Sequence, residues 1–281
     1  MAFYDYDPSQ AASVVSASLF GVTTALHIYQ LLRRRTWYFI PFLIGGLFQV
    51  FGYIVRCLSI SQKPDYEKNP FIIQQILILL APALYAASIY MILGRMILLV
   101  HAESYSLIRR SWLTKIFVSG DIVSMVVQGA GGGFMAAADT LDKQQAGSNI
   151  IVGGLFIQLA IFGLFITVTA LFHHRILREP TPQSVRLAVP WRRYILVLYG
   201  VSALIMARSI FRVVEFIDGK GGELMSNEIY VYVLDALLMF FVSVILNIFH
   251  PSSVISAKAS YETQLGPLGT SDSASGMVYG A

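Results

Sequence analysis

The chain is poor in charge and nearly devoid of cysteine. Charged residues make up 13% of its 281 residues against 56% hydrophobic ones, whereas about 25% charged is usual in a soluble domain. This excludes an ordinary water-soluble fold and identifies a polytopic membrane protein. The lone cysteine, Cys57, excludes an intramolecular disulfide. No G-x-x-x-x-G-K-[ST] phosphate loop is present, so ATP hydrolysis by this chain is not expected. The last apolar run, Glu228 to Phe249, lacks lysine and cannot form a retinal Schiff base. A G-protein-coupled receptor is disfavoured by the missing Asp/Glu-Arg-Tyr and Asn-Pro-x-x-Tyr motifs and the missing second cysteine. The net charge of +4 does not indicate a nucleic-acid partner, because the basic residues stand in short clusters between apolar runs.

Those runs number seven, at about 12–32, 37–60, 71–100, 113–136, 149–172, 191–216 and 228–249, and each reaches the roughly 20 residues needed to cross a hydrocarbon core. The expected fold is therefore all-α, a seven-transmembrane-helix bundle over residues 1–250. The residues before the first run contain Asp5 and Asp7 and no lysine or arginine, so a cleavable signal peptide is not expected and the first helix does the targeting. Pro82 predicts a kink in the third helix. In the glycine-rich fourth, Gly129 and Gly133 stand four apart, a spacing expected to serve helix packing rather than a ligand. The fifth helix is the most uniformly apolar, with Gln158 as its main interruption, and is expected to be the most lipid-exposed. Residues 251–281 turn to Ser, Gly and Ala and read as a disordered cytosolic tail.

Orientation follows from lysine and arginine. Arg33, Arg34, Arg35, Arg109, Arg110, Lys115, Arg175, Arg178, Arg186, Arg192, Arg193 and Lys258 fall on one side, and Lys63, Lys68, Lys143 and Lys220 on the other. The excess marks the cytosol, placing the N-terminus outside and the tail inside.

The remaining basic residues, Arg56, Arg95, Arg208 and Arg212, lie within spans, as do Asp121, Glu215 and Asp235. Each costs about 2.5–3.5 kcal/mol at a helix centre unless paired or hydrated. Arg208, Arg212 and Glu215 stand at i, i+4 and i+7 on one helical face, and Glu228, Tyr232 and Asp235 repeat that spacing on the next helix, so the two stripes are expected to meet. Gln49, Tyr53 and Arg56 add a third stripe. These nine residues form the candidate substrate-binding set, a polar cavity entered from outside. The competing reading is a set of buried ion pairs that fixes helix register. Arg95 and Asp121 read as a separate inner pair, with Gln128 on the same face as Asp121 and Ser124.

His27, His101, His173, His174 and His250 all fall toward the cytosolic ends of helices, on the same side as Asp121. An intramembrane metal-dependent lipid hydrolase is the enzymatic alternative, but no His-x-x-x-His pair supports it. No metal, cofactor or catalytic residue is assigned, and the chain is expected not to be an enzyme.

Six segments carry a family resemblance: GYIVR at Gly52, LLAPALYAASIYMILGR at Leu79, GDIVSMVVQGAGGG at Gly120, GGLFIQ at Gly153, RSIFRVVEF at Arg208, and EIYVYVLDALLM at Glu228 followed by His250-Pro251. In this order they resemble the fungal RTA-like family, the lipid-translocating exporters. The resemblance implies a fungal source, residence in the plasma membrane with the vacuole or another endomembrane as the alternative, resistance to toxic lipophilic compounds, and release of amphipathic lipids such as sphingoid long-chain bases. Membrane lipids and an amphipathic small molecule are the implied partners. A seven-helix lipid or stress sensor without transport is the alternative. Family members often carry Glu where this chain has Gln49, an amide that hydrogen-bonds but takes up no proton near neutral pH.

Overall fold

The computed structural model describes residues 8–62, 67–186, 191–219, 222 and 227–252. Lys63, Lys220, Lys258 and the predicted tail from residue 253 onward lie outside them. The spans are α1 (Gln10–Arg34), α2 (Ile40–Ser61, entered through the 3-10 turn Trp37–Phe39), α3 (Lys68–Leu99), α4 (Arg110–Ala137), α5 (Leu141–Arg178), α6 (Trp191–Asp218) and α7 (Glu228–Ile248). A short helix, Pro182–Arg186, lies between α5 and α6. All seven spans are long and apolar enough to cross a membrane, and no strand occurs among the described residues. The chain is an integral, multi-pass, all-α membrane protein.

Local chemistry explains several boundaries. The Ser9 side chain accepts from the Ala12 N–H and caps α1, Thr140 does the same for α5, and Asn227 for α7. Arg35 ends α1 in the left-handed conformation at φ 52°, with its N–H on the Leu31 carbonyl. Proline stands in the first turn of α2, where its missing N–H costs nothing.

Successive helices pack as neighbours and α7 returns to α1. Helix α3 is central: 72% of its most apolar stretch is buried, against 28–44% for the other spans, and it touches α2, α4, α5 and α6. Tyr90, Phe117, Phe162 and Phe165 fill the seam of α3, α4 and α5, with ring centroids 4.6–6.2 Å apart. On the other side of α3, Phe42 stacks on Tyr85 at 4.1 Å. Arg175 donates to the Tyr105 carbonyl, Thr181 to the Val100 carbonyl, and Arg34 to Ser252. These contacts gather the connections rich in arginine at one end of the bundle.

Two expectations need correction. The least covered span is α4, with 28% of its apolar stretch buried, rather than α5 with 33%. The packing glycine of α4 is also a different one. A methyl at Gly129 or Gly133 would meet nothing within 4 Å, whereas one at Gly131 would fall 2.8 Å from the Ile151 nitrogen and 2.9 Å from the Gly147 carbonyl. Gly131 therefore admits the α5 backbone, and the four-residue spacing lands on the uncovered face.

Candidate functional site

Arg208, in the middle of α6, has no exposed surface, and Asp235 of α7 has none either. Arg208 Nε donates to Asp235 Oδ1 at 2.7 Å. Arg212, one turn further along α6, donates through Nη2 to the other Asp235 oxygen, Oδ2, and through Nη1 to Glu215 Oε2 at 2.8 Å. One carboxylate thus bridges two guanidiniums, and Glu215 balances the second. A further donor of Arg208 goes to the main chain: its Nη2 donates to the Ile78 carbonyl at 3.1 Å. Pro82, four residues after Ile78 in α3, has no N–H and leaves that carbonyl without its helical donor.

A second pairing sits beside the first. Arg56 on α2 donates through Nη2 to Glu228 Oε1 at 3.0 Å and through Nε to the Tyr232 hydroxyl at 3.1 Å. Glu228 Oε2 accepts from the Ser9 N–H at 2.8 Å, and the Tyr232 and Ser13 hydroxyls lie 2.8 Å apart. Tyr53 joins the two pairings: its ring stacks on Tyr232 at 6.2 Å and on Phe20 at 5.7 Å, and it lies within electrostatic reach of Asp235, Arg56 and Arg212.

The stripes therefore meet differently from the sequence expectation. Residues Tyr232–Ala236 form a π-turn inside α7, and its i→i+5 winding turns less per residue than an α-helix. Glu228 and Tyr232 stay on the face toward α1 and α2, while Asp235 swings to α6. Gly52 sets the depth of α2, since a methyl there would fall 2.7 Å from Ile78 Cγ1. The six ionised groups Arg56, Arg208, Arg212, Glu215, Glu228 and Asp235 carry equal numbers of positive and negative charges. All are sealed: the side chain of Glu228, the most exposed of the six, retains 14% exposure and the others 5% or less. An open polar cavity was expected here, and the group is instead a closed network.

Several polar atoms within it are unspent. Arg208 Nη1, Arg212 Nε, the Tyr53 hydroxyl and both amide atoms of Gln49 are buried without a hydrogen-bond partner among the described residues. Gln49 lies one turn from Tyr53 on α2 and contributes no pairing to the network.

Arg95 and Asp121 do not pair. The Arg95 guanidinium lies over the Tyr38 ring at 3.9 Å, on an exposed face. Asp121 is buried beside Tyr90, close enough to interact electrostatically, although neither side chain has a hydrogen bond of proper geometry. Gln128 belongs to a clasp between α4 and α5, donating to Ser124 Oγ at 2.6 Å and Gln158 Oε1 at 3.0 Å, while Ser124 donates to the Gly154 carbonyl at 2.7 Å. His27 and His250 approach to 6.4 Å between ring centroids, and among the described residues no three His, Cys, Asp or Glu side chains converge as a metal-ligand set.

Sequence reasoning missed Ile78, Ser9 and Ser13. The Ile78 carbonyl was findable, because a buried proline always frees the carbonyl four residues earlier. Ser9 and Ser13 gave no signal, since serines in an apolar helix satisfy themselves on their own backbone.

A bundle of seven apolar helices around a sealed, charge-balanced ionic network defines a polytopic membrane protein with ionised groups at its centre. The RTA1-like family model, described as "RTA1 like protein", matches residues 42–258, and the chain belongs to that family. It is 37% identical over 273 residues to Protein RTA1 of Saccharomyces cerevisiae, covering 88% of this chain and 84% of the yeast protein. It is 35% identical over 274 residues to the Protoporphyrin uptake protein 1 of that yeast, covering 85% and 88%. To the Sphingoid long-chain base transporter RSB1 it is 27% identical over 286 residues, covering 90% of this chain and 74% of the yeast protein. No solved structure matches the chain.

Proposed function

We propose that this protein moves amphipathic, lipid-like molecules across its membrane and that the network of α2, α6 and α7 holds their headgroup. The carrying observation is the set of buried donors left over in the network: Arg208 Nη1, Arg212 Nε and the Tyr53 hydroxyl. Buried polar groups without partners cost about 1–3 kcal/mol each, and a headgroup bearing hydroxyls or an anionic oxygen recovers that cost. An ammonium group has its own place at Glu228, whose carboxylate is the least covered of the three. A long-chain base, with an ammonium next to hydroxyls, fits both requirements. The names of two relatives, a sphingoid base transporter and a protoporphyrin uptake protein, support cargo of this kind. Because the network is closed, cargo entry requires α7 to part from α2, breaking the Arg56–Glu228 contact. The basic asymmetry supports a cytosolic position for the arginine-rich end, and the plasma membrane is the proposed location.

The test is efflux of labelled phytosphingosine and of a fluorescent phospholipid from cells with and without the protein, beside Glu228→Gln and Asp235→Asn variants. Expected is faster release of the base with the wild type, reduced in both variants. Unchanged release of both lipids, with altered signalling when they are supplied outside, would assign the protein to lipid sensing instead.

A further inference from the structure

A cavity of about 790 Å³ opens at the arginine-rich end, between the last turns of α3 and the first turns of α4. It is remote in the fold from the ionic network, and its chemistry is of one sign. Arg95, Arg109, Arg110 and Lys115 line it, with Glu103 as its one carboxylate among the lining residues. Glu103 is spent on Arg110, at a loose 3.5 Å. Arg95, Arg109 and Lys115 have no ion-pair partner among the described residues.

Arg95 is positioned rather than loose. Its guanidinium lies 3.9 Å above the Tyr38 ring, a contact that fixes the plane of the group and leaves its N–H edges free to fork onto an oxyanion. Helix α4 begins at Arg110 with no side-chain cap, and its first two residues, Arg110 and Ser111, line the cavity, so the positive end of its dipole lies beside that space. Its α3 wall is apolar apart from Arg95, with Met91, Gly94, Leu98 and Leu99, and Ser111 and Thr114 of α4 face them. A soluble anion requires only the charged half. An anionic lipid requires both halves, a cationic rim at headgroup depth and an apolar wall for the acyl chains, and basic pockets between spans at the cytosolic side bind such lipids.

We propose that this cavity is a binding site for a membrane lipid with a phosphomonoester headgroup, held by Arg95, Arg109 and Lys115. Its occupant is a resident lipid, not the transported cargo, and the inference does not depend on the transport reading. A phosphomonoester carries close to two charges at neutral pH, which three unpaired cations match better than the single charge of a diester.

The purified full chain is equilibrated in detergent with phosphatidic acid or with phosphatidylcholine of the same acyl chains, and lipid retention is read by native mass spectrometry. The expected preference for phosphatidic acid is about ten-fold, equivalent to roughly 1.4 kcal/mol. Arg95→Gln with Arg109→Gln removes the preference, Glu103→Gln strengthens it, and Lys143→Gln, at the opposite end of the bundle, leaves it unchanged. The Glu103→Gln gain keeps the test decisive even if the double variant folds poorly. Equal retention of the two lipids overturns the proposal, as does Glu103→Gln without a gain. Displacement of the bound lipid by millimolar inorganic phosphate overturns it as well, since the site then holds the free anion.

Discussion

Arg208 on α6 donates to the carbonyl of Ile78 on α3 at 3.1 Å, the carbonyl that Pro82 cannot serve. A helix defect and a buried cation thus satisfy each other, and the proline fixes the central helix against the ionic network. Replacing Pro82 with Ala restores an N–H that competes for Ile78 and strands a second nitrogen of Arg208. The expected result is a fold retained, with a melting temperature within a few degrees of wild type, and efflux clearly reduced. Arg208→Lys, which keeps the charge but loses the fork, should cost more, about 1–3 kcal/mol. Equal efflux in Pro82→Ala and wild type would falsify the coupling.

Because Asp235 accepts from both Arg208 and Arg212, exchanging Arg212 and Asp235 should not restore the network: an arginine at 235 would face Arg208. The neutral deletion is different. Arg212→Gln or Glu215→Gln alone leaves an unbalanced buried charge, which costs about 3–5 kcal/mol. The two together leave the Arg208–Asp235 pair intact and balanced. Thermal melts of the four proteins in detergent should therefore show the double variant more stable than the sum of the singles predicts. Additive losses would mean the two groups do not interact.

The spans and the polar residues within them were readable, because a lipid-facing surface permits so few charges that each one draws attention. Arg208, Arg212, Glu215 and Asp235 were grouped correctly from helical spacing alone. What spacing cannot convey is rotation within a helix. The π-turn at Tyr232–Ala236 separates Asp235 from Glu228 and Tyr232, and no propensity rule announces such a turn. Depth misled in a second way, since Arg95 and Asp121 lie at compatible depths but on faces that do not meet. Gly131 rather than Gly129 or Gly133 packs α4 on α5 because a pattern of small residues gives a helix several candidate faces and only the partner's position selects one.

The Arg56–Glu228 pair, 3.0 Å apart, is the least covered ionic contact of the central network and closes the junction of α1, α2 and α7. Arg56→Gln should therefore cost less stability than any change at Asp235, about 1.5–3 kcal/mol. It should also raise the reactivity of a cysteine placed at Ser13, whose hydroxyl meets Tyr232. The check is alkylation rate in a Cys57→Ser background, and an unaltered rate would show that other contacts hold the junction shut.

His250 follows the end of α7 and supplies a pH dependence. Burial, reinforced by the nearby charge of Arg34, pushes its pKa down from about 6.5 to about 4, and Nδ1 accepts from the Ser252 N–H at 3.3 Å. The folded state holds it neutral while the unfolded chain protonates first. Stability from this group is thus complete above about pH 6.5 and is lost progressively as pH falls toward 4. Melting temperatures between pH 7.5 and 5 should decline, and His250→Gln should flatten the decline. An identical pH profile in the variant would remove His250 as the cause.

The two ends of the bundle differ in charge, and this gives the orientation a direct test. Arg34, Arg109, Arg175 and Arg192 stand in or beside the terminal turns of helices at one end, joined there by the Arg34–Ser252 and Arg175–Tyr105 contacts, whereas Lys143 stands in the first turn of α5 at the other. Retention of arginine on the cytosolic side during insertion predicts that the first end faces inside. In a Cys57→Ser background, a cysteine at Lys143 should react with an impermeant maleimide added to intact cells, and one at Arg109 should react only after permeabilisation. Both positions are exposed, so failure to label reports sidedness and not burial. The reverse pattern would invert the bundle, moving the Glu228 end of the network to the cytosol and the proposed phosphomonoester site to the outer face, where anionic lipid is scarce.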